Sequence, residues 1–178
     1  GRCYNRQSRE SEIIGIRSRI EEMNIRQVTE GKEDYIELLH MGDPDESRIR
    51  KVLEKGELFL LEEHGKLRTL CVVIFSEEKK CEIKNIVTME KDRGKGYGQY
   101  MIHYICEHYC SQYDWVYMKK ERCRDIREFC DKCGFSDEEE VYLKKELMSE
   151  IDTKRVINLA MEAGRMLLKN GGEIFRVE

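Results

Sequence analysis

The chain has 178 residues, of which 38% are charged and 40% hydrophobic, and its formal net charge is -4. This composition indicates one folded domain with appendages and excludes an intrinsically disordered chain. Acidic and basic residues are interspersed, so no basic face indicates a nucleic-acid partner. Without an apolar run of roughly 20 residues we expect no membrane span. Without a signal-peptide pattern we expect a cytoplasmic protein whose 8 cysteines stay reduced.

The first half of the chain predicts one strand, two helices and then three strands. Residues 1–24 are a charged arm in which isoleucines recur at helical spacing. A helix is predicted to begin at Asp43-Pro44, because an acidic cap there precedes a proline. The turn at His64-Gly65 joins two strands into a hairpin. The predicted elements are a strand over 24–29, helices over 32–40 and 43–56, and strands over 58–63, 67–75 and 81–88.

A glycine-rich loop follows the last of these strands. It reads Arg93-Gly94-Lys95-Gly96-Tyr97-Gly98 and opens a helix predicted over 97–110. Glycines leave the backbone uncovered, so consecutive N–H groups and the positive end of the helix can point at one anion. Arg93 and Lys95 add charge that suits phosphate. The loop therefore predicts a pyrophosphate site, and the alternative is a glycine-rich turn before a core helix.

Two other phosphate motifs fit this loop poorly. A Walker loop needs Gly-Lys-Ser/Thr after a longer spacer. A dinucleotide fingerprint needs a surrounding β-α-β repeat and a differently placed first glycine. After the loop the predicted elements are a helix over 97–110, strands over 115–118 and 141–147, a helix over 125–132, and a helix in the last 30 residues.

The pattern Arg93-x-x-Gly96-x-Gly98, preceded by the strand Glu82–Val87, resembles the acetyl-CoA motif of the GNAT superfamily of N-acetyltransferases. The order of the predicted elements over residues 25–147 resembles that family too, including a helix that ends in Gly134-Phe135. The resemblance implies an α/β fold with a mixed, mostly antiparallel sheet flanked by helices. It also implies an acyltransferase that moves the acetyl group of acetyl-CoA to a primary amine without a covalent acyl-enzyme.

The resemblance implies roles for particular residues. Ile86, Val87 and Thr88 would pair with the pantetheine arm of the cosubstrate. The pyrophosphate would bind the backbone N–H groups of Arg93, Gly94, Lys95, Gly96, Tyr97 and Gly98. Glu82 matches the base of some histone-modifying members, and the alternative is a solvent-exposed strand glutamate.

Two positions depart from the family pattern. The usual tyrosine acid is Cys130 here, and an asparagine often found seven residues earlier is Cys123. A thiol with an ordinary pKa near 8.5 can donate a proton, so Cys130 is a catalytic candidate beside Glu82, although packing is its other role. The segment between Phe135 and Val141 is also shorter than the family's, which commonly has a further strand there.

The sequence leaves two other functions open. The first is a non-catalytic acetyl-CoA-binding regulatory domain, because the tyrosine acid is missing. The second is a zinc or thiol module, because Cys130-x-x-Cys133 has a suitable spacing and His103, Cys106 and Cys110 share a helical face. A second Cys-x-x-Cys pair is missing, so we assign no metal ligand.

Residues 148–178 form a predicted helical appendage outside the transferase domain. The run from Leu159 to Glu178 resembles the start of the soluble domain of the threonine/serine exporter family. This resemblance implies a tethered C-terminal module and a longer, membrane-linked parent protein. The alternatives are a helix that packs on its own domain and a helix that pairs two chains into a homodimer.

Overall fold

The computed structural model describes residue 14 and residues 22–120, 127–138 and 141–144. Apart from positions 14 and 22–24, the predicted N-terminal arm lies outside the described residues, as do Cys123, the start of the helix predicted at 125 and the whole tail over 148–178. In chain order the elements are β1 (Met23–Val28), a 3-10 turn (Lys32–Tyr35), α1 (Ile36–Leu39), α2 (Glu46–Lys55), β2 (Glu57–Glu63), β3 (Lys66–Ser76), β4 (Lys80–Thr88), a second 3-10 turn (Glu90–Asp92), α3 (Tyr97–Tyr109), β5 (Trp115–Lys119), α4 (Arg127–Lys132), β6 (Ser136–Asp137) and β7 (Val141–Lys144).

The described strands form one sheet in the order β1-β2-β3-β4-β5-β7-β6. All neighbours are antiparallel except β4 and β5, which are parallel. His64 and Gly65 make the two-residue turn between β2 and β3, and both have a positive φ, 51° and 69°. Such turns match the twist of the paired strands. The predicted α/β fold with a mostly antiparallel sheet is confirmed.

Apolar side chains build a core on each face of this sheet. Successive strand residues point to opposite faces, so Phe59 and Leu61 join one core while Leu58 and Leu60 join the other. The first core includes buried residues of α3 and α4, and the second includes buried residues of α1 and α2. Helices therefore cover both faces of the sheet, and a ligand can reach the sheet backbone at the strand edges.

The start of α2 differs from the prediction. The helix begins at Glu46, and its cap is Asp45, whose side chain accepts a hydrogen bond from the Arg48 N–H. Asp43 is instead buried and accepts hydrogen bonds from the Asp45 N–H at 3.0 Å and from the Arg48 guanidinium at 2.5 and 2.6 Å. Two acidic residues stand two positions apart, and the pairing of Asp43 with Arg48 leaves Asp45 as the helix cap.

The C-terminal part of the sheet contains a strand that the sequence did not predict. Ser136 and Asp137 pair with Leu143 and Tyr142 of β7, although the segment is short. β7 in turn runs antiparallel to β5. The predicted end of the last strand at Leu147 lies outside the described residues. None of the helices in the described part of the chain is long and apolar enough to cross a membrane.

Candidate cofactor loop and active site

Near the middle of strand β4 its register with β3 shifts and its pairing with β5 ends. Its register with β3 shifts between Val72 and Val73, which face Asn85 and Ile83, so Lys84 is the extra residue of a β-bulge. Its parallel pairing with β5 covers only Lys80 to Glu82. From Ile83 to Thr88, no described strand pairs with that edge of β4.

The open edge includes the three residues that the sequence assigned to the pantetheine arm. Ile86, Val87 and Thr88 are the last three residues of β4, beyond the point where β5 diverges. A strand edge offers alternating N–H and C=O groups, and an extended ligand can pair with them as an added strand does. The arrangement therefore suits a ligand with amide groups, such as pantetheine.

The glycine-rich loop lies directly after this edge. After the 3-10 turn, Arg93 is extended, Gly94 and Gly96 are left-handed with φ of 74° and 90°, and α3 begins at Tyr97. Alternation of this kind turns successive N–H groups toward one side, where they form an anion-binding concavity at the helix N-terminus. Arg93, Gly94 and Lys95 are exposed. The geometry of the loop thus fits a phosphate group.

Gly98 has a packing role that the sequence did not predict. A Cβ atom there would lie 3.0 Å from Phe129 Cε2 and 3.5 Å from Thr88 Oγ1. The first distance is tighter than an ordinary van der Waals contact, so glycine lets α3 approach α4 and the end of β4. The Thr88 hydroxyl is itself hydrogen-bonded to the Thr69 hydroxyl at 2.9 Å. The loop, the helix and the strand edge are held together at this point.

A buried ionic network lies beneath the loop, and the sequence did not predict it. Asp92 and Glu63 are 1% and 2% exposed, and both contact the guanidinium of Arg68. Although burial would raise the pKa of Asp92, hydrogen bonds from Arg68 and Lys95 outweigh it and lower that pKa below its ordinary value. Tyr97, which the sequence assigned to the cofactor, donates its hydroxyl to Glu63 at 2.5 Å. No local sequence pattern indicates this network, because it joins the β2–β3 hairpin to a loop that is distant in the sequence.

Glu82, the candidate base, lies at the last residue pair that joins β4 to β5. It is 5% exposed, so the alternative of a solvent-exposed strand glutamate is wrong. Its Oε2 accepts a hydrogen bond from the Tyr117 hydroxyl at 3.0 Å, and Lys84 Nζ lies 2.6 Å from its Oε1. Burial, followed by the Glu82 charge and hydrogen bond, raises the pKa of Tyr117 to about 12. A buried carboxylate therefore stands where the two strands separate.

Cys130, the second catalytic candidate, is completely buried in α4 and belongs to the core beneath α3. Cys133, its partner in the thiol motif, is 2% exposed in the same core. In the described part of the chain, no group of three or more His, Cys, Asp or Glu side chains could hold a metal ion. The position of Cys130 thus favours packing over proton transfer or zinc binding.

The comparisons with known proteins concern the fold. A GNAT family acetyltransferase from Elizabethkingia anophelis, solved with acetyl-CoA bound, superposes with a TM-score of 0.60 at 22% identity over 66% of this chain and 78% of its own. A Bacillus subtilis acetyltransferase in complex with CoA gives 0.58 at 22% identity over the same shares. Tetrahymena GCN5 gives 0.57 at 13% identity over 65% of this chain and 81% of its own. The chain has the fold of the GNAT acetyltransferases.

Comparison of sequences alone does not identify a related family. No protein-family model matches the chain, and no curated protein matches it significantly. The GNAT fold is therefore recognised through the three-dimensional arrangement alone. The resemblance of the tail to the exporter family stays a prediction.

Proposed function

We propose that the chain transfers the acetyl group of acetyl-CoA to a primary amine. One observation carries the proposal: the open edge of β4 leads directly into a glycine-rich loop at the N-terminus of α3. An extended amide-containing arm and a pyrophosphate at its end, joined in one ligand, match these two features. The E. anophelis and B. subtilis proteins of the same fold were solved with acetyl-CoA and CoA.

The geometry of the strand edge and the loop supports the following binding roles. Backbone groups of Ile86, Val87 and Thr88 pair with the two amides of the pantetheine arm. The N–H groups of residues 93–98 hold the pyrophosphate, and the exposed side chains of Arg93 and Lys95 add opposite charge. Both sets of contacts use backbone atoms, which explains why glycines rather than reactive side chains dominate the motif.

In the proposed reaction Glu82 is the general base. It removes a proton from the acceptor ammonium, directly or through a water molecule, and the neutral amine then attacks the thioester carbonyl carbon. The carbon–sulfur bond breaks, the nitrogen of the new amide releases its second proton to water, and the departing thiolate takes a proton from water. Tyr117 and Lys84 fix the two carboxylate oxygens of this base. Cys130 has no role in this scheme, because its side chain is inside the core.

A calorimetric titration with acetyl-CoA, followed by a CoA-release assay with a panel of primary amines, tests the proposal. We expect Glu82→Gln to lower turnover by roughly 10²-fold, as loss of a general base does, while acetyl-CoA binds as before. The amide oxygen of glutamine still accepts the Tyr117 hydrogen bond, so the fold should persist. Glu78→Gln, an exposed position in the turn before β4, is the control and should keep full activity.

The buried position of Cys130 also supports a second function, a non-catalytic acetyl-CoA-binding domain, since no acid replaces the missing tyrosine at that position. Acetyl-CoA binding without turnover of any amine would favour this function. Full activity of Glu82→Gln at every pH would place the base elsewhere or leave deprotonation to solvent. Absence of any CoA binding would contradict both functions.

A further inference from the structure

Five polar side chains form a network that we call the loop anchor: Glu63 at the end of β2, Arg68 in β3, and Asp92, Lys95 and Tyr97 in and beside the loop. Glu63, Asp92 and Tyr97 are each at most 3% exposed, and the Arg68 side chain is 14% exposed. Glu63 and Arg68 belong to the β2–β3 hairpin, whereas Asp92 lies 24 residues beyond Arg68, so the network joins two distant segments of the chain. Glu63, Arg68 and Asp92 have no role in the proposed reaction, whereas Lys95 and Tyr97 also belong to the proposed phosphate-binding loop.

Arg68 is the centre of the loop anchor. Its Nη1 lies 3.0 Å from Asp92 Oδ1, and its Nη2 lies 3.4 Å from Glu63 Oε2. The same Glu63 oxygen accepts the Tyr97 hydroxyl at 2.5 Å. The guanidinium carbon also lies 5.6 Å from the centre of the Tyr97 ring, which adds a cation–π contact. Arg68 therefore connects to both ends of the loop.

The two ends bracket the glycines. Asp92 is the residue before Arg93, and Tyr97 is the residue after Gly96. The four residues between them include two glycines, which have more backbone freedom than any other residue. Fixing both flanks restricts the conformations that these residues can adopt.

The charges of the loop anchor balance. Glu63 and Asp92 carry two negative charges, and Arg68 and Lys95 carry two positive charges. A buried ion is costly without a partner. Lys95 Nζ lies 3.2 Å from Asp92 Oδ1 but its side chain is 47% exposed, so Arg68 is the less solvent-exposed partner of this carboxylate. Removal of Arg68 would leave two buried carboxylates short of positive charge and would release both loop flanks.

We propose that Arg68 is a positioning residue that holds the loop at 93–96 in its anion-binding conformation before the ligand arrives. This inference rests on the proposed binding of acetyl-CoA. Arg68 acts through Asp92 and through the Glu63–Tyr97 hydrogen bond. A preformed site loses less conformational freedom on binding, so its affinity is higher.

The test separates the pyrophosphate from the rest of the ligand. S-acetylpantetheine carries the thioester and both amides but lacks the pyrophosphate. We expect Arg68→Met to lower kcat/KM for acetyl-CoA, and the affinity for CoA, by about tenfold or more, because the loop must be ordered on binding. The kcat/KM for S-acetylpantetheine should stay within about twofold of the wild-type value, since that ligand does not use the loop. Arg68→Lys should recover part of the loss.

Arg48→Met is the matched control. Arg48 also pairs with a buried carboxylate, Asp43, at 2.5 Å, but it belongs to α2 on the other face of the sheet. This variant should lose stability without losing affinity for CoA. Tyr97→Phe provides a second route if Arg68→Met does not fold. It removes one hydroxyl from the loop anchor, and we expect a loss of CoA affinity of about threefold with S-acetylpantetheine unaffected.

Two results would overturn the inference. In one, Arg68→Met or Tyr97→Phe binds CoA as tightly as the wild type. In the other, the variant loses the same factor for acetyl-CoA and for S-acetylpantetheine, which would indicate general damage to the domain. Absence of the proposed acetyl-CoA binding gives a different result, because the wild-type chain itself would then bind neither CoA nor S-acetylpantetheine, and the inference would fall with it.

Discussion

Gly96, the left-handed residue that caps α3, allows the glycine-rich loop to be tested by the addition of a single methyl group. Gly96 has φ 90° and ψ 0°, a conformation that L-residues with a side chain rarely adopt. In the proposed complex its backbone lies against the pyrophosphate. We expect Gly96→Ala to weaken CoA binding by tenfold or more, which corresponds to about 1.4 kcal/mol. The measurement is isothermal titration calorimetry with CoA.

The effect on stability is expected to be smaller and can be matched elsewhere. A left-handed alanine costs roughly 1–2 kcal/mol, and the stiffer unfolded chain returns about 0.4–1 kcal/mol. The net loss of about 1 kcal/mol lowers the melting temperature by roughly 2–4 °C in a domain of this size. Gly134 has φ 78°, and an added Cβ there meets no atom within 4 Å. Gly134→Ala therefore carries comparable strain after the end of α4, outside the loop and the loop anchor.

Comparison of the two variants shows whether the loss of CoA affinity is specific to the loop. Similar melting temperatures with CoA affinity lost only in Gly96→Ala would support the loop as the binding site. If both variants bind CoA within about twofold of each other, the pyrophosphate does not lie against Gly96, and the assignment of residues 93–98 would be refuted. A circular dichroism spectrum of each variant checks that the fold persists.

Two further predictions concern acid stability and the tail. The pKa of Asp92 is lower in the folded protein than its unfolded value near 3.9, so this group contributes stability above that pH and loses it as pH falls further. Urea unfolding at about pH 6 and about pH 3 should therefore show a smaller difference for Asp92→Asn than for the wild type, and an equal difference would contradict the pairing with Arg68. Deletion of residues 149–178 should leave the melting temperature and CoA affinity nearly unchanged, because the described sheet is built without them; a large loss of either would make the tail part of the transferase domain.

Elements with a strong local signal could be predicted from the sequence. The helix predicted over 97–110 is found at Tyr97–Tyr109, and the strand predicted over 58–63 is found at Glu57–Glu63. Apolar periodicity and turn residues are properties of neighbouring positions, so they can be recognised without knowledge of the tertiary structure. The glycines of the loop belong to the same class, because a left-handed conformation favours glycine wherever it occurs.

Features that depend on pairing could not be predicted in this way. The bulge at Lys84 exists only relative to β3, and the open edge of β4 exists only because β5 diverges after Glu82. Arg68 appeared as one charged residue in a strand, and nothing near it in sequence indicates Asp92 as its partner. The burial of Glu82 was likewise invisible, since most glutamates are solvent-exposed. The buried ionic residues around the candidate site are therefore the ones that local sequence patterns describe least well.

The sulfur atoms inside the domain can report on its opening. Cys71 and Cys81 are fully buried, and burial raises the pKa of both thiols above the ordinary value. A neutral, enclosed thiol is a poor nucleophile and is shielded from oxidants. These two sulfurs can therefore be modified only in molecules that have transiently opened, and their alkylation under native conditions measures how often the core is exposed to solvent.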